Sequence, residues 1–473
     1  MRSGLVQNAP GRVRAAPYCP VILNKYGLEM KTIVDWCKKH KITEVEAIMP
    51  DMSGIARGKI MPAEKYCADQ GMRLPEAIVL QTVTGDTPSD FTSVNPADID
   101  MVMRGDPNSI RLVPWAHEPT AQIIHDGYYA DESPVEMLPR YVLRRVLELY
   151  AGLGWRPVVA PELEFYLVKP NTDADYPLEP PVGRSGRAES GRQSYGIDAL
   201  NEYDPLIEDI YDFAEAQEIQ LETVIHEAGA AQMEVNLLHG DPLELADQAF
   251  LFKRTVREAA LRHHMYATFM AKPMEGEPAS AMHFHQSVVD RATGRNVFAD
   301  DQGEMSALFL GHIAGLQRYL PAAMPFLAPN VNSYRRMIRH LAAPINVHWG
   351  YDNRTAGLRV PVSDAANMRI ENRVAGADAN PYLAMAASLA CGYLGMVEGL
   401  QPSDPVKGSA YELPYGLPRS LLASLRQLQA SEPLIEALGA RFASAYHAVK
   451  ECELNAFMHV ISSWEREHLL LNV

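Results

Sequence analysis

Four short stretches, far apart in the chain, alternate polar and apolar residues with period two. In Val158–Leu167 (VVAPELEFYL), Glu162 and Glu164 fall on one face of an extended strand, Leu163 and Phe165 on the other. In Gln232–Leu237 (QMEVNL), Glu234 opposes Met233 and Val235, and Glu227 precedes it across a Gly/Ala-rich turn. In Met282–Val288 (MHFHQSV), His283, His285 and Ser287 share a face; in Met368–Val374 (MRIENRV), Arg369, Glu371 and Arg373 do. One such stretch alone is what any half-buried antiparallel strand shows. Together their polar faces carry Glu, His and Arg, no Lys and a single hydroxyl. Placed on one sheet, they bring five carboxylates and two imidazoles together. Carboxylates that close cannot all stay ionised unless metal or arginine compensates them. Oxygen ligands with a histidine suit Mg²⁺ or Mn²⁺ rather than a zinc-type site.

A cationic group accompanies them. Tyr334-Arg335-Arg336 and Asn353-Arg354-Thr355-Ala356-Gly357-Leu358-Arg359 are followed by Arg369 and Arg373. Arginine offers planar, bidentate recognition of carboxylate and phosphate. Metal ions beside arginines are how proteins stabilise a transferring phosphoryl group. Other motifs fail. Gly54-Ile-Ala-Arg-Gly58-Lys59 is one residue short of a P-loop, and Ile60 stands where Ser or Thr would hold Mg²⁺. There is no GxGxxG and no HExxH. His263-His264 falls late in a helix, where the helix dipole favours it without a ligand role.

The 473 residues are enough for two to three domains and a large core. The pattern reads as α+β. Tyr26–His40 is expected as a helix. Val45–Met49 and Lys59–Met61 are expected as strands around the turn Asp51-Met52-Ser53-Gly54, and Thr82–Pro107 as loop. An amphipathic helix is expected from Val135 (Leu138, Val142, Val146, Leu149), and another after the cap Asp241-Pro242 with Glu244 three residues on. The boundary between a smaller and a larger unit falls at 125–133. Met1–Leu28 has arginines but no acidic residue and no apolar signal core, and residues 1–25 read as a disordered tail. The formal charge of −16 argues against a nucleic-acid partner. Pro381–Val397 is too short and too rich in Ala and Gly for a membrane span. Five scattered cysteines without a CxxC pair fit a reducing, cytoplasmic setting.

Taken in order, DMSGIARGK (51–59), DPNSIRLVPW (106–115), PELEFYL (161–167), HEAGAAQMEVN (226–236), KPMEGEPASAMHFHQS (272–287), NSYRR (332–336), DNRTAGLR (352–359) and RIENRVAGADANPYL (369–383) resemble the glutamine synthetase superfamily. The wording WGYDNRT and RVAGADANPYL is similar to its bacterial γ-glutamyl-polyamine branch. The resemblance implies a small β-grasp N-terminal domain (26–129) and a catalytic domain (130–473) with a curved antiparallel metal-lined sheet. It also implies a homo-dodecamer of two hexameric rings, with sites at subunit interfaces. It assigns Glu164, Glu227 and Glu234 to one metal, and Glu162, His283 and Glu371 to a second that bridges ATP phosphates. Arg336, Arg373 and Ala279 fall at glutamate-binding positions. Arg354 and Arg359 face the transferred phosphate, and His285 and Ser287 contact the nucleotide. The implied activity is ATP-dependent joining of glutamate to an amine through γ-glutamyl phosphate, with Mg²⁺ or Mn²⁺.

Departures from the family pattern point to the amine. Ammonia-using members carry a flap glutamate six residues beyond the NSYRR arginine, where this chain has Ala342. They also carry an Asp-Gly-Ser-Ser segment where Ile78–Gly85 (IVLQTVTG) has no acidic residue. Losing both carboxylates removes a cage for a small cation and leaves room for a carbon-bearing amine such as a polyamine. An alkylammonium must still lose a proton before attack, and Glu227 is the expected base with Tyr195 nearby. Pro278-Ala279 replaces the family's Asn-Gly at the glutamate. Tyr411 falls where some members are adenylylated. The alternatives are a true glutamine synthetase and a non-catalytic relative. The retention of six groups that repel without metal speaks against the latter.

Overall fold

A computed structural model describes residues 22–89, 94, 97–339 and 343–473. The tail expected over 1–25 lies, up to residue 21, outside the described residues, as does Ala342. The first helix, Ile22–Lys39, begins four residues before the expected Tyr26 and takes up the end of that tail.

The first sheet is built from β1 (Glu44–Pro50), β2 (Ala56–Pro62), β3 (Met72–Pro75), β4 (Asp100–Gly105), β5 (Arg111–Leu112) and β6 (Thr120–Tyr128). Its order is β2-β1-β6-β4-β3, with β5 on β6. The central pair β1 and β6 is parallel, Glu44 opposite Thr120 and Ile48 opposite Ile124. The other pairs are antiparallel. Thr82–Pro107 is not loop throughout. β4 lies within it, because Met101 and Met103 share one face of the strand and bury completely. The Asp/Pro/Ser richness just before them hides that short alternation. The helix expected from Val135 starts at Pro139, whose ring suits the first turn. Val135, Met137 and Leu138 are buried in the approach to it, which turns between Val135 and Leu138 before the helix begins.

The second sheet contains β7 (Trp155–Val168), β8 (Leu221–His226), β9 (Gln232–Leu237), β10 (Tyr266–Thr268), β11 (Met282–Asp290), β12 (Trp349–Tyr351), β13 (Leu358–Val360) and β14 (Ile370–Asn372). Its order is β12-β13-β14-β11-β7-β9-β8, with β10 on β7. The four alternating stretches of the sequence are therefore β14, β11, β7 and β9, consecutive neighbours in mid-sheet. All three pairings among them are antiparallel. Only Ile370–Asn372 of the fourth stretch pairs as strand.

The apolar faces of these strands (Leu163, Phe165, Met233, Val235, Met282, Phe284, Ile370) are at most 1% exposed. Helices cover them. Asp241 caps the helix Pro242–Arg262 by accepting from the N–H groups of Leu243 (2.9 Å) and Glu244 (3.4 Å). Asn380 caps the helix Pro381–Glu398, which is the expected buried apolar run and ends at Gly399 with φ +61°. That helix lies so close to Ala307–Leu327 that a Cβ on Gly315 would come 2.2 Å from the Cys391 carbonyl oxygen. Among the described residues no helix is long and apolar enough to cross a membrane.

The two sheets are joined by a buried ionic cluster. The Arg140 guanidinium, 2% exposed, reaches Asp106 (2.7 Å) and Asp126 (2.8 Å) of the first sheet region and Asp247 (2.8 Å) of the helix Pro242–Arg262. Tyr382 donates to the same Asp247 at 2.7 Å. Every charge there has a partner, the condition under which buried ions hold a geometry rather than disrupt it.

Candidate active site

Sheet register carries the site. Glu162 lies directly opposite His283, Glu164 opposite Glu234, and His285 opposite Glu371. Because side chains alternate strictly along a strand, one correct pairing places all of them on the same face. That face is not solvated: Glu164 and Glu234 are each 7% exposed, His283 5% and Glu371 1%. Above it lies a cavity of about 250 Å³ lined by Glu162, Glu164, Glu227, Glu234, His283 and four arginines, Arg336, Arg354, Arg359 and Arg373. Tyr195, Ile225, Pro278, Ala279 and Ala343 supply its less polar wall. His285, Ser287 and Glu371 share the polar face but do not line this cavity.

Glu162 is the hub. Its carboxylate meets His285 Nε2 at 2.9 Å, His283 Nδ1 at 3.3 Å and the Asn236 amide N–H at 3.1 Å. Two triplets, Glu162–Glu234–His283 and Glu162–His285–Glu371, each bring their ligand atoms within 4.8 Å of one another. Glu164 accepts from the Ala281 N–H at 2.9 Å and from Gln232 Nε2 at 3.2 Å. Glu227, just beyond β8, accepts from the Ala228 N–H at 3.1 Å. Glu371 is gripped by Arg359 (2.8 Å) and Arg373.

The electrostatics divide the carboxylates. Burial, then the charge of Glu227, pushes Glu164 up to about 8. Burial together with Glu162, Glu164, Glu227 and Glu371 pushes Glu234 up to about 9. Burial raises Glu227 as well. Glu162 moves the other way: burial opposes its ionisation, but hydrogen bonds from His283 and His285 hold it well below the usual carboxylate range. In Glu371 burial is likewise overcome, by Arg373 first and then the two histidines, leaving it at about 2. Burial, then Arg373, lowers His283 to about 4, so its imidazole is neutral at pH 7 and able to ligate. Glu164 and Glu234 thus favour their protonated forms at pH 7, because burial and mutual repulsion outweigh the nearby arginines. The donor set, oxygen with neutral imidazole, fits a hard divalent cation.

The cations are poised for anions. Arg336, 2% exposed, donates to the carbonyls of Val374 (2.6 Å) and Arg373 (2.9 Å). The Nε of Arg373 is buried with no hydrogen-bond partner, a donor in want of an acceptor. Arg354 lines the cavity with no hydrogen bond or ion pair to any described residue. Arg359, expected to face a phosphate, lines the cavity and bridges Glu371 and Asp352. His285, expected as a nucleotide contact, packs its Nε2 on Glu162 and takes Arg369 Nε at 3.3 Å on its other nitrogen. Ser287 lies one step further along the same face of β11. Tyr195 sits at the rim, 65% exposed and in left-handed backbone (φ 59°). Tyr411 is 7% exposed beside Arg336 and Arg373.

Three participants escaped the sequence reading. Gln232 and Asn236 share the parity of Glu234 within QMEVNL, so the signal was present but was spent on the carboxylate alone. Ile225 reaches the cavity from a strand whose sequence, LETVIH, carries no distinctive pattern.

Comparison with known proteins agrees with this geometry. The family described as glutamine synthetase, catalytic domain, matches residues 136–469. Gamma-glutamylputrescine synthetase PuuA of Escherichia coli (strain K12) is 37% identical over 443 residues, 90% of this chain and 92% of that one. Glutamate–isopropylamine ligase of Pseudomonas sp is 32% identical, covering 91% of this chain and 95% of the other. A solved structure titled GmaS/ADP complex superposes with a TM-score of 0.79 at 28% identity, covering 92% of this chain and 99% of that one. With the same α+β architecture and the same family profile over most of its length, this chain belongs to the glutamine synthetase family of acid–amine ligases.

Proposed function

We propose that the protein is an ATP-dependent γ-glutamyl ligase that joins glutamate to an organic amine, a polyamine such as putrescine foremost. The observation that carries this reading is the in-register meeting of Glu162, Glu164, Glu234, His283 and Glu371 beside an arginine-lined cavity. The names of the two amine-ligating relatives support the choice of an organic amine over ammonia. So do Ala342 and the acid-free Ile78–Gly85, which leave no carboxylate cage for ammonium.

Each residue has a role in this reading. Arg336 and Arg373 bind the α-carboxylate of glutamate, with the unpartnered Nε of Arg373 as one donor and Ala279 at the cavity wall. The γ-carboxylate attacks the γ-phosphorus of ATP, the bond to the bridging oxygen breaks, and ADP departs. Arg354, which has no hydrogen bond or ion pair among the described residues, and Arg359 neutralise the charge that moves, while His285 and Ser287 lie on the nucleotide side. Glu162, Glu164, Glu227, Glu234, His283 and Glu371 would hold two Mg²⁺ or Mn²⁺ ions, which supply charge neutralisation for phosphoryl transfer when bound. A carboxylate is a poor electrophile, and phosphorylation makes it a good one. Glu227, made more basic by burial, then takes a proton from the alkylammonium. The free amine forms the C–N bond, and phosphate leaves. Tyr195 sits at the mouth by which the amine enters.

Residues 26–129 are assigned as the β-grasp domain and 130–473 as the catalytic domain. β6 ends at Tyr128 and the next helix begins at Pro139. Assembly into a homo-dodecamer is supported by the C-terminal segment, which leaves Ile461, Trp464, Leu470 and Leu471 more than 60% exposed. Cys37, Cys67, Cys391 and Cys452 are all free thiols, in keeping with a cytoplasmic enzyme.

The test is phosphate release from ATP with glutamate, Mg²⁺ and a panel of amines that includes ammonia. A diamine or alkylamine should give the highest kcat/KM. Preference for ammonia would make the enzyme a glutamine synthetase, and no release with any amine would reject the reading.

A further inference from the structure

We infer that Glu189, a residue outside the cavity, positions the amine-side edge of the site. This inference rests on the ligase reading above. Glu189 lies in a polar, exposed stretch; Arg187, Ala188 and Ser190 all face solvent. Its own side chain is only 12% exposed. Its Oε2 takes two donors from one turn: His226 Nε2 at 3.1 Å and the Ala231 N–H at 2.8 Å.

These two donors flank Glu227. His226 is the last residue of β8, 1% exposed, and its Nδ1 meets the Glu227 carbonyl at 2.8 Å. The His226 carbonyl in turn accepts the Tyr195 N–H at 2.8 Å. One carboxylate therefore joins the loop that presents Tyr195 to the turn that presents Glu227. Further bonds extend the edge: Arg192 donates to the Gly276 carbonyl at 2.8 Å, and the Ala230 N–H donates to Glu277 at 3.1 Å. The chain segments around Tyr195, Glu227 and Pro278-Ala279 thus close on one another at one side of the cavity.

The dependence on Glu189 is steep for a physical reason. Tyr195 holds a left-handed backbone (φ 59°) that costs a non-glycine residue on the order of 1 kcal/mol. Its ring is mostly exposed, so packing does not hold it in place. The backbone bond to His226 holds it, and Glu189 holds His226. The opposite side of the cavity has its own anchors, Val374 for Arg336 and Glu371 for Arg373. Loss of Glu189 should therefore impair deprotonation and capture of the amine more than the binding of glutamate and ATP.

The experiment compares an alkylamine with hydroxylamine in Glu189→Gln, which keeps side-chain volume but removes the charged acceptor. Hydroxylamine is uncharged at neutral pH and needs no base. In the variant, kcat/KM for the alkylamine should fall about tenfold or more, as expected for a misplaced catalytic group. Hydroxamate formation should fall several-fold less than alkylamine ligation, since it shares the phosphoryl-transfer step but not the need for a base. Glu189→Asp, which restores a carboxylate, should lie between. Equal losses with both nucleophiles, or no loss with either, would overturn the inference. A wild-type enzyme that forms no product from glutamate and ATP with either nucleophile would instead overturn the ligase reading itself.

Discussion

The crowded carboxylates make a quantitative prediction about metal binding. In the metal-free chain Glu164 stands at about 8 and Glu234 at about 9. At pH 7 they hold about 0.9 and about 0.99 proton respectively, by ordinary titration arithmetic. A cation ligates the carboxylate, not the acid, so binding must expel these protons. Titrating Mn²⁺ into the full-length protein should release about two protons per subunit at pH 7. At pH 9 the same arithmetic leaves about 0.6. The assay is isothermal titration calorimetry in buffers of differing ionisation enthalpy, where the slope of observed heat against that enthalpy counts the protons. Glu164→Gln should lower the count by about one. A slope of zero at pH 7 would refute the reasoning, because it would mean that the carboxylates were already ionised and compensated.

The same displacement fixes how stability varies with pH. A carboxylate raised in the folded state binds its proton more tightly there than in the unfolded chain. Stability is therefore lost as pH climbs from the unfolded value toward the folded one. For Glu164, raised from 4.5 to about 8, the loss is on the order of 5 kcal/mol at about 1.36 kcal/mol per unit. Thermal unfolding of metal-free protein should therefore show Tm falling between pH 5 and pH 8. Mn²⁺ should flatten the decline by supplying the missing positive charge.

Other substitutions test single roles. Glu371→Gln, which keeps side-chain volume and an acceptor for Arg359 and Arg373, should abolish turnover while leaving the size-exclusion profile unchanged; near-normal activity would show that Glu371 is not a ligand. Arg354→Ala should lower kcat by about a hundredfold, within the range for loss of a transition-state charge contact, with a much smaller change in the KM for ATP. Ala342→Glu should raise kcat/KM for ammonia relative to an alkylamine. An unchanged ratio would remove the argument from the missing cage.

What the sequence made legible was parity. Glu162 with Glu164, and His283 with His285, had to share faces whatever the fold, because alternation is a property of the extended backbone alone. What it left hidden was pairing. Nothing in MHFHQSV says that His283 faces Glu162 rather than Glu164, since register is set across more than a hundred residues by strands that meet only after collapse. β14 is the extreme case, three paired residues flanked by arginines that themselves join the site. Its alternation was legible in MRIENRV, but neither its short paired length nor its place beside β11 was. Glu189 was hidden for another reason: it lies in a run of Gly, Ser and Arg that reads as solvent loop, and only tertiary contact reveals its side chain as buried.

The resemblance and the geometry also divide the residues differently, and the division is chemical. By family position Glu164, Glu227 and Glu234 make one ligand set, and Glu162, His283 and Glu371 the other. By proximity Glu162 belongs to two triplets, one with Glu234 and His283 and one with His285 and Glu371. Without a cation, the ionised Glu162 draws in the nearest hydrogen-bond donors, the two imidazoles, and leaves Glu164 and Glu234 to hold protons. A cation would reverse that preference: ligation favours the ionised form of every carboxylate, so Glu164 and Glu234 would lose their protons. His283, neutral already through burial and Arg373, needs no proton change to ligate. Added positive charge therefore shifts the protons of Glu164 and Glu234 while leaving His283 as it stands.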